Sequence, residues 1–144
     1  MERIVINWLE TNYDDMDYEE DAYFYALLND DDELVYMGST YEQEIQDGIE
    51  QSISELGLNT ETTGIFIGYV NEMTYEELSK KAVADALCLM VFLYQPELNT
   101  QCRETYSGRL GFEIASNELF DETSTISCDA EGRFWGDGEL LEEE

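Results

Sequence analysis

Between Ile4 and Ser79 the chain has no Lys, Arg or His, while the same stretch holds 20 Asp and Glu. Over the whole 144 residues, 35 acids face 6 bases and there is no His, giving a net charge of −29. Duplex DNA carries about two phosphate charges per base pair, so this chain has roughly the charge of ~15 base pairs. Self-repulsion at that density opposes any compact state, so the fold must rest on a buried apolar core. The composition supplies one: 43% of residues are hydrophobic and 12% aromatic, far too apolar for a disordered acidic tail. The length fits a single domain over residues 1–144.

The same composition excludes several chemistries. An acidic surface repels nucleic acid and anionic membranes, so neither is expected as a direct partner. No 18-residue apolar run exists; the longest, residues 82–94, is interrupted by Asp85 and is too short to span a bilayer. The first residues lack the pattern of a signal peptide, which points to a cytoplasmic protein. Cys88, Cys102 and Cys128 are then expected as reduced thiols, and their spacings of 14 and 26 with no His fit no zinc site. Without His there is no Ser-His-Asp or Cys-His arrangement. No phosphate-loop or dinucleotide motif occurs. Neither acidic run, 14–21 or 30–33, has the spaced ligands and central Gly of an EF-hand loop. No metal and no cofactor is expected.

Residues 3–9 alternate loosely and read as a strand, and 14–21 (DDMDYEED) as an acidic loop. Residues 22–28 (AYFYALL) and 34–38 (LVYMG) read as strands joined through the turn 29–33 (NDDDE), a hairpin. Ile45, Ile49, Ile53 and Leu56 share one helical face, so a helix over 41–56 is predicted, capped by Ser39 or Thr40 and stopped by Gly57. Residues 64–70 (GIFIGYV) read as a buried strand. Thr74 and Glu77 form a capping box for a second helix, apolar nearly all round, that runs to Tyr94 before Pro96. Residues 97–108 read as loop, 109–114 as a strand, then a loop or helical turn through Phe120, with one more strand or hairpin around 133–135 and a frayed end at 142–144. The fold class is α+β, a small mixed or antiparallel sheet flanked by helices.

The order strand, strand, helix, strand, helix, with Tyr23-Phe24-Tyr25 and Tyr36-Met37-Gly38 eleven residues apart between their key tyrosines, resembles the GIY-YIG nuclease domain. The segment 94–99 (YQPELN) is similar to the family's closing Pro-x-x-Asn element. The resemblance implies a ββαβα core over 22–99, preceded by the acidic segment 1–21 and followed by a C-terminal β extension, 100–144. It also implies a site at Tyr25, Tyr36, Gln46, Leu87 and Asn99. The family carries an Arg at the position of Gln46 to clamp phosphate, and a Glu at the position of Leu87 to hold a divalent metal. Glu50 stands where a His or Tyr is frequent. Phosphodiester hydrolysis needs a cation or metal against growing negative charge, and a Gln and a Leu offer neither. Asp85 is about 200° around the helix from Leu87 and is expected to face elsewhere. A catalytically inactive domain follows, with Tyr25 and Tyr36 packing the hairpin.

The expected function is that of an acidic binding protein that mimics DNA and occupies the nucleic-acid groove of a basic partner, such as a host DNA-binding or defence protein, in the manner of phage inhibitors of restriction or CRISPR systems. The expected surface comprises Asp14, Asp15, Asp17, Glu19, Glu20, Asp21, Asp30, Asp31, Asp32, Glu33, Glu42, Glu44, Asp47 and Glu50, with Tyr13, Tyr18 and Tyr41 as anchors. Two alternatives stay open: a metal-dependent endonuclease with a rearranged site, and an interaction domain whose acidity serves solubility.

Overall fold

The computed structural model describes residues 2–13, 22–73, 79–119, 122–137 and 139–141. The elements are β1 (Glu2–Thr11), β2 (Ala22–Leu28), β3 (Leu34–Ser39), α1 (Ile45–Leu56), β4 (Gly64–Met73), α2 (Lys80–Tyr94), β5 (Phe112–Leu119), β6 (Glu122–Cys128), β7 (Phe134–Gly136) and β8 (Glu139–Leu141). All eight strands form one sheet in the order β3-β2-β4-β1-β5-β6-β7-β8. Every neighbouring pair is antiparallel except β1 with β5. The class is α+β as expected, but the sheet is large rather than small. The hairpin β2–β3 and the docking of β4 on β2 follow the sequence reading. Element order of this kind is shared by many α+β domains and carries no family by itself.

The two helices pack on opposite faces of the sheet. α2 covers Ile4, Ile6 and Trp8 of β1, Phe24, Phe66, Phe112 and Ile114, all at most 4% exposed. α1 covers Tyr25, Leu27, Val35, Ile65 and Ile67 with Ile45, Ile49 and Ile53. Burying each such side chain stabilises the fold by roughly 1.5–3 kcal/mol. The α1 face of β5 to β7 carries Glu113, Thr125, Ser127 and Trp135 around an open depression. Strands with one wet face alternate apolar and polar residues, as in Phe112-Glu113-Ile114.

Several boundaries differ from the sequence reading. β3 continues through Ser39, and Thr40 donates its N–H to Tyr23 O (2.8 Å), so neither residue caps a helix. Glu42 takes a left-handed φ of 58°, and α1 starts at Ile45 with Glu44 at its N-cap. Gly57, at φ 67°, stops α1 as expected. The Thr74–Glu77 capping box lies outside the described residues; over the described part of α2, Ser79 is the cap, accepting from Ala82 N at 3.0 Å. β5 begins at Phe112, not 109, because Gly111 at φ 77° closes the preceding loop, and it runs on to Leu119 where a loop was expected.

The expectation of three reduced thiols is overturned for two of them. Cys88 and Cys102 form a disulfide with Cα atoms 5.2 Å apart, tying α2 to the loop that follows it. Spacing alone does not show that this loop folds back along its own helix. Cys128 is free and buried, and burial raises its thiol pKa.

Candidate functional site

Tyr25 lies on β2 opposite Gly38 of β3, and Tyr36 lies opposite Leu27. Their ring centroids are 6.2 Å apart. A Cβ at Gly38 would come within 2.3 Å of the Tyr25 ring, so only glycine lets this ring cross β3. The Tyr25 hydroxyl sits 2.6 Å from Ser52 Oγ on α1. Burial pushes its pKa up to about 12, against the lowering effect of the Ser52 hydrogen bond. Tyr25 is therefore a neutral tie between hairpin and helix, as the packing reading expects.

Tyr36, Leu87 and Asn99 line one cleft of about 630 Å³. The structure thus brings three of the five degenerate-site positions together. Tyr25 is held in the core, and Gln46, half-buried in the first turn of α1, does not line the cleft. Asn99, 9% exposed, is engaged with the backbone: its Oδ1 accepts from Met37 N (2.9 Å) and its Nδ2 donates to Met37 O (2.8 Å). With Leu98 N donating to Val35 O (2.7 Å), this segment closes the outer edge of β3. An open sheet edge invites unwanted pairing, and Asn99 removes that liability.

Asp85 corrects the helical-wheel expectation. It lines the same cleft as Leu87, because the loop tied down by Cys102 wraps a wide arc of α2. It is 6% exposed and pairs with Lys81 Nζ (3.0 Å) and Arg109 Nε (3.4 Å); Arg109 also pairs with Glu2 (2.5 Å). Buried and paired with two bases, this carboxylate is a structural hub.

The acids lie elsewhere. Asp30, Asp31, Asp32 and Glu33 are all exposed in the β2–β3 turn, where Leu28 pairs with Gly64. Glu42 and Glu44 are exposed at the other end, next to Ser39 and the start of α1. A seven-residue strand separates the two ends by about 20 Å. α1 runs between them, and Asp47, Glu50 and Glu55 stand on its exposed side. Asp14, Asp15, Asp17, Glu19, Glu20 and Asp21, together with Tyr18, lie outside the described residues. Glu55 was missed by the sequence reading, although the helical period that places Ile49 and Ile53 inward places it outward with Glu50. Among the described residues no group of three His, Cys, Asp or Glu converges as a metal-ligand cluster, and no helix is long and apolar enough to cross a membrane.

No family model, no curated protein and no solved structure matches the chain.

Proposed function

We propose that this chain is a catalytically inactive acidic binding protein, built on a GIY-YIG-like core, that occupies the nucleic-acid groove of a basic DNA-binding or defence protein. The observation that carries the reading is the band of exposed carboxylates on the solvent side of α1 and in the turn before it: Glu42, Glu44, Asp47, Glu50 and Glu55, with no base among them. The band runs toward the Asp30–Glu33 turn over about 20 Å, the axial length that about six phosphates of one DNA strand occupy. Such a band steers a cationic groove toward it and sets register.

Two observations favour binding over the endonuclease reading. The Asn99 side chain is occupied by the Met37 backbone, and the Tyr25 hydroxyl is buried against Ser52, away from the cleft that Tyr36 lines. The reading places the protein in the cytoplasm of its host cell, where the Cys88–Cys102 bridge would have to resist reduction.

The test is affinity capture from host lysate at low and moderate salt, then competition with DNA for the captured protein. Reversing Glu50→Lys with Glu55→Lys is expected to weaken that complex about tenfold or more at 0.1 M salt, through slower association. Glu139→Lys on β8, away from α1, serves as the control. Binding unchanged by the α1 reversals, or a partner that does not release DNA, would remove the support for mimicry. Plasmid nicking by the pure protein with Mg²⁺ or Mn²⁺, abolished in Tyr36→Phe, would promote the endonuclease instead.

A further inference from the structure

A second cavity lies away from α1, between the C-terminal end of α2, the loop around 103–110 and the end of the sheet, with a volume of about 950 Å³. Phe92, Tyr106 and Phe134 form one side of it, with centroids 4.8 Å apart for Phe92–Phe134, 5.5 Å for Tyr106–Phe134 and 6.0 Å for Phe92–Tyr106. Leu110 and Leu141 also line it, and they remain 51% and 40% exposed. A chain of this charge has every reason to keep large apolar groups out of water. Among the described residues, two of the four exposed large hydrophobic side chains nevertheless meet at this one groove.

Arg103 lines the same groove. Of the six bases, Arg3, Lys81, Arg109 and Arg133 pair with carboxylates. Arg103 makes no ion pair among the described residues, and its Nε is buried with no hydrogen-bond partner. The sealed Nε is out of a ligand's reach, but Arg103 is only half-buried and lines the groove, so the outer part of its guanidinium, left without a carboxylate in a protein with carboxylates to spare, is what an acceptor would meet. The arginine is also held in place. Gln95 Nε2 donates to Phe92 O (2.7 Å) and to Arg103 O (2.5 Å), and the disulfide at Cys102 anchors the preceding residue on α2.

We propose that this groove binds a small amphiphile, an apolar chain or ring ending in one carboxylate, with its tail against Phe92, Tyr106 and Phe134 and its carboxylate on Arg103. Ligand sites commonly combine an apolar cleft of about 300–1,000 Å³ with a few placed polar groups. A guanidinium matches a carboxylate with paired donors. The protein's own field selects among anions. At physiological salt the screening length is about 8 Å, so a guanidinium in contact outweighs the distant acids, but each further negative charge on the ligand adds repulsion. A monoanionic carboxylate is therefore favoured over a dianionic phosphate. Glu104, exposed on the same groove, opposes the headgroup and limits affinity.

The test titrates the full chain with decanoate, decanol and decyltrimethylammonium, each below its micellar concentration, at about 0.15 M salt. Binding is read by calorimetry and by amide shifts. Decanoate is expected to bind, with shifts confined to residues around Leu110, Phe134 and Leu141. Arg103→Gln should weaken decanoate about tenfold and leave decanol unchanged; Glu104→Gln should tighten decanoate. Leu110→Ser, an exposed position whose change spares the core, should weaken both. Three results each overturn the proposal: no decanoate binding, decanoate binding indifferent to Arg103→Gln, or tighter binding of the cationic amphiphile in the same groove. None depends on the acidic face of α1, so the two proposals stand or fall separately.

Discussion

Tyr25 joins three pieces of the molecule through one side chain: the ring fills the space left by Gly38, and the hydroxyl reaches Ser52 on α1. Its raised pKa has a consequence for stability. A hydroxyl that ionises near 10 when unfolded and near 12 when folded keeps its full stabilising contribution below pH 10 and loses it as pH rises toward 12. A shift of this size corresponds to about 3 kcal/mol at full loss. Urea unfolding at pH 8 and pH 11 should therefore show a marked drop for the native chain. Tyr25→Phe should be less stable at pH 8, by about 1 kcal/mol for the lost hydrogen bond, yet less sensitive to the alkaline shift. Equal pH sensitivity in both proteins would assign the alkaline loss to other groups. Turn chemistry is legible at this scale as well. Asn29 Oδ1 accepts from Asp31 N and Glu33 N, and Asp129 Oδ1 accepts in the same way from Glu131 N and Arg133 N. The sequence reading recognised only the first, because Asp129-Ala130-Glu131-Gly132 is flanked by strands with little apolar contrast. Asp129 also holds Trp135 Nε1 and the Arg133 guanidinium, which keep its carboxyl down at about 2.

At the scale of elements, legibility follows contrast between faces. The aromatic hairpin and the isoleucine face of α1 were readable because both bury continuous apolar sets with clear periods. β5 was readable only as far as Ile114 and β6 not at all: Ser116 and Asn117 interrupt the first beyond that point, and Thr125 and Ser127 face open sheet in the second, so neither shows the full hydrophobic run of a buried strand. The loop after α2 was the largest loss. It has no period, yet it carries Asn99 onto β3, Cys102 onto α2 and Arg103 into the apolar groove. Tyr36, Leu87 and Asn99 could be expected together from the family resemblance, whereas the groove has no motif. The disulfide is the element-level claim most open to a direct test. In denaturant without reductant, a thiol reagent should titrate one cysteine, Cys128, and after reduction all three. Three thiols before reduction would show that the loop is held without a bridge. Closing a loop of about 15 residues contributes about 3 kcal/mol in the chain-entropy account, so Cys88→Ser with Cys102→Ser should lower stability by up to that amount.

The molecule as a whole sets 35 acids against 6 bases, and four of those bases are already held in local ion pairs. Two salt effects then oppose each other. Screening weakens those few pairs, whose basic partners are mostly exposed, and it relieves repulsion among the remaining carboxylates. A compact chain of this length has a radius of gyration near ~15 Å. At 0.01 M salt the screening length of about 30 Å spans the molecule, while at 0.15 M it is about 8 Å and reaches only neighbours. Repulsion summed over the whole surface is thus removed over this range, while contact pairs change little. The melting temperature should rise with sodium chloride, by more than about 5 °C between 0.01 M and 0.5 M, given roughly 2–4 °C per kcal/mol for a chain of this size. Tetramethylammonium chloride should act alike if screening is the cause; a rise with sodium alone would mean that cations bind the acidic band itself. A flat or falling melting temperature would show that the ion pairs around Asp85 and Asp129 outweigh the repulsion. Over the same salt range the proposed partner complex should weaken, because its association depends on the field that salt screens. A fold that tightens while its complex loosens, across one salt titration, ties the surplus charge to the partner: it costs the isolated protein stability and returns that cost only where a basic groove meets it.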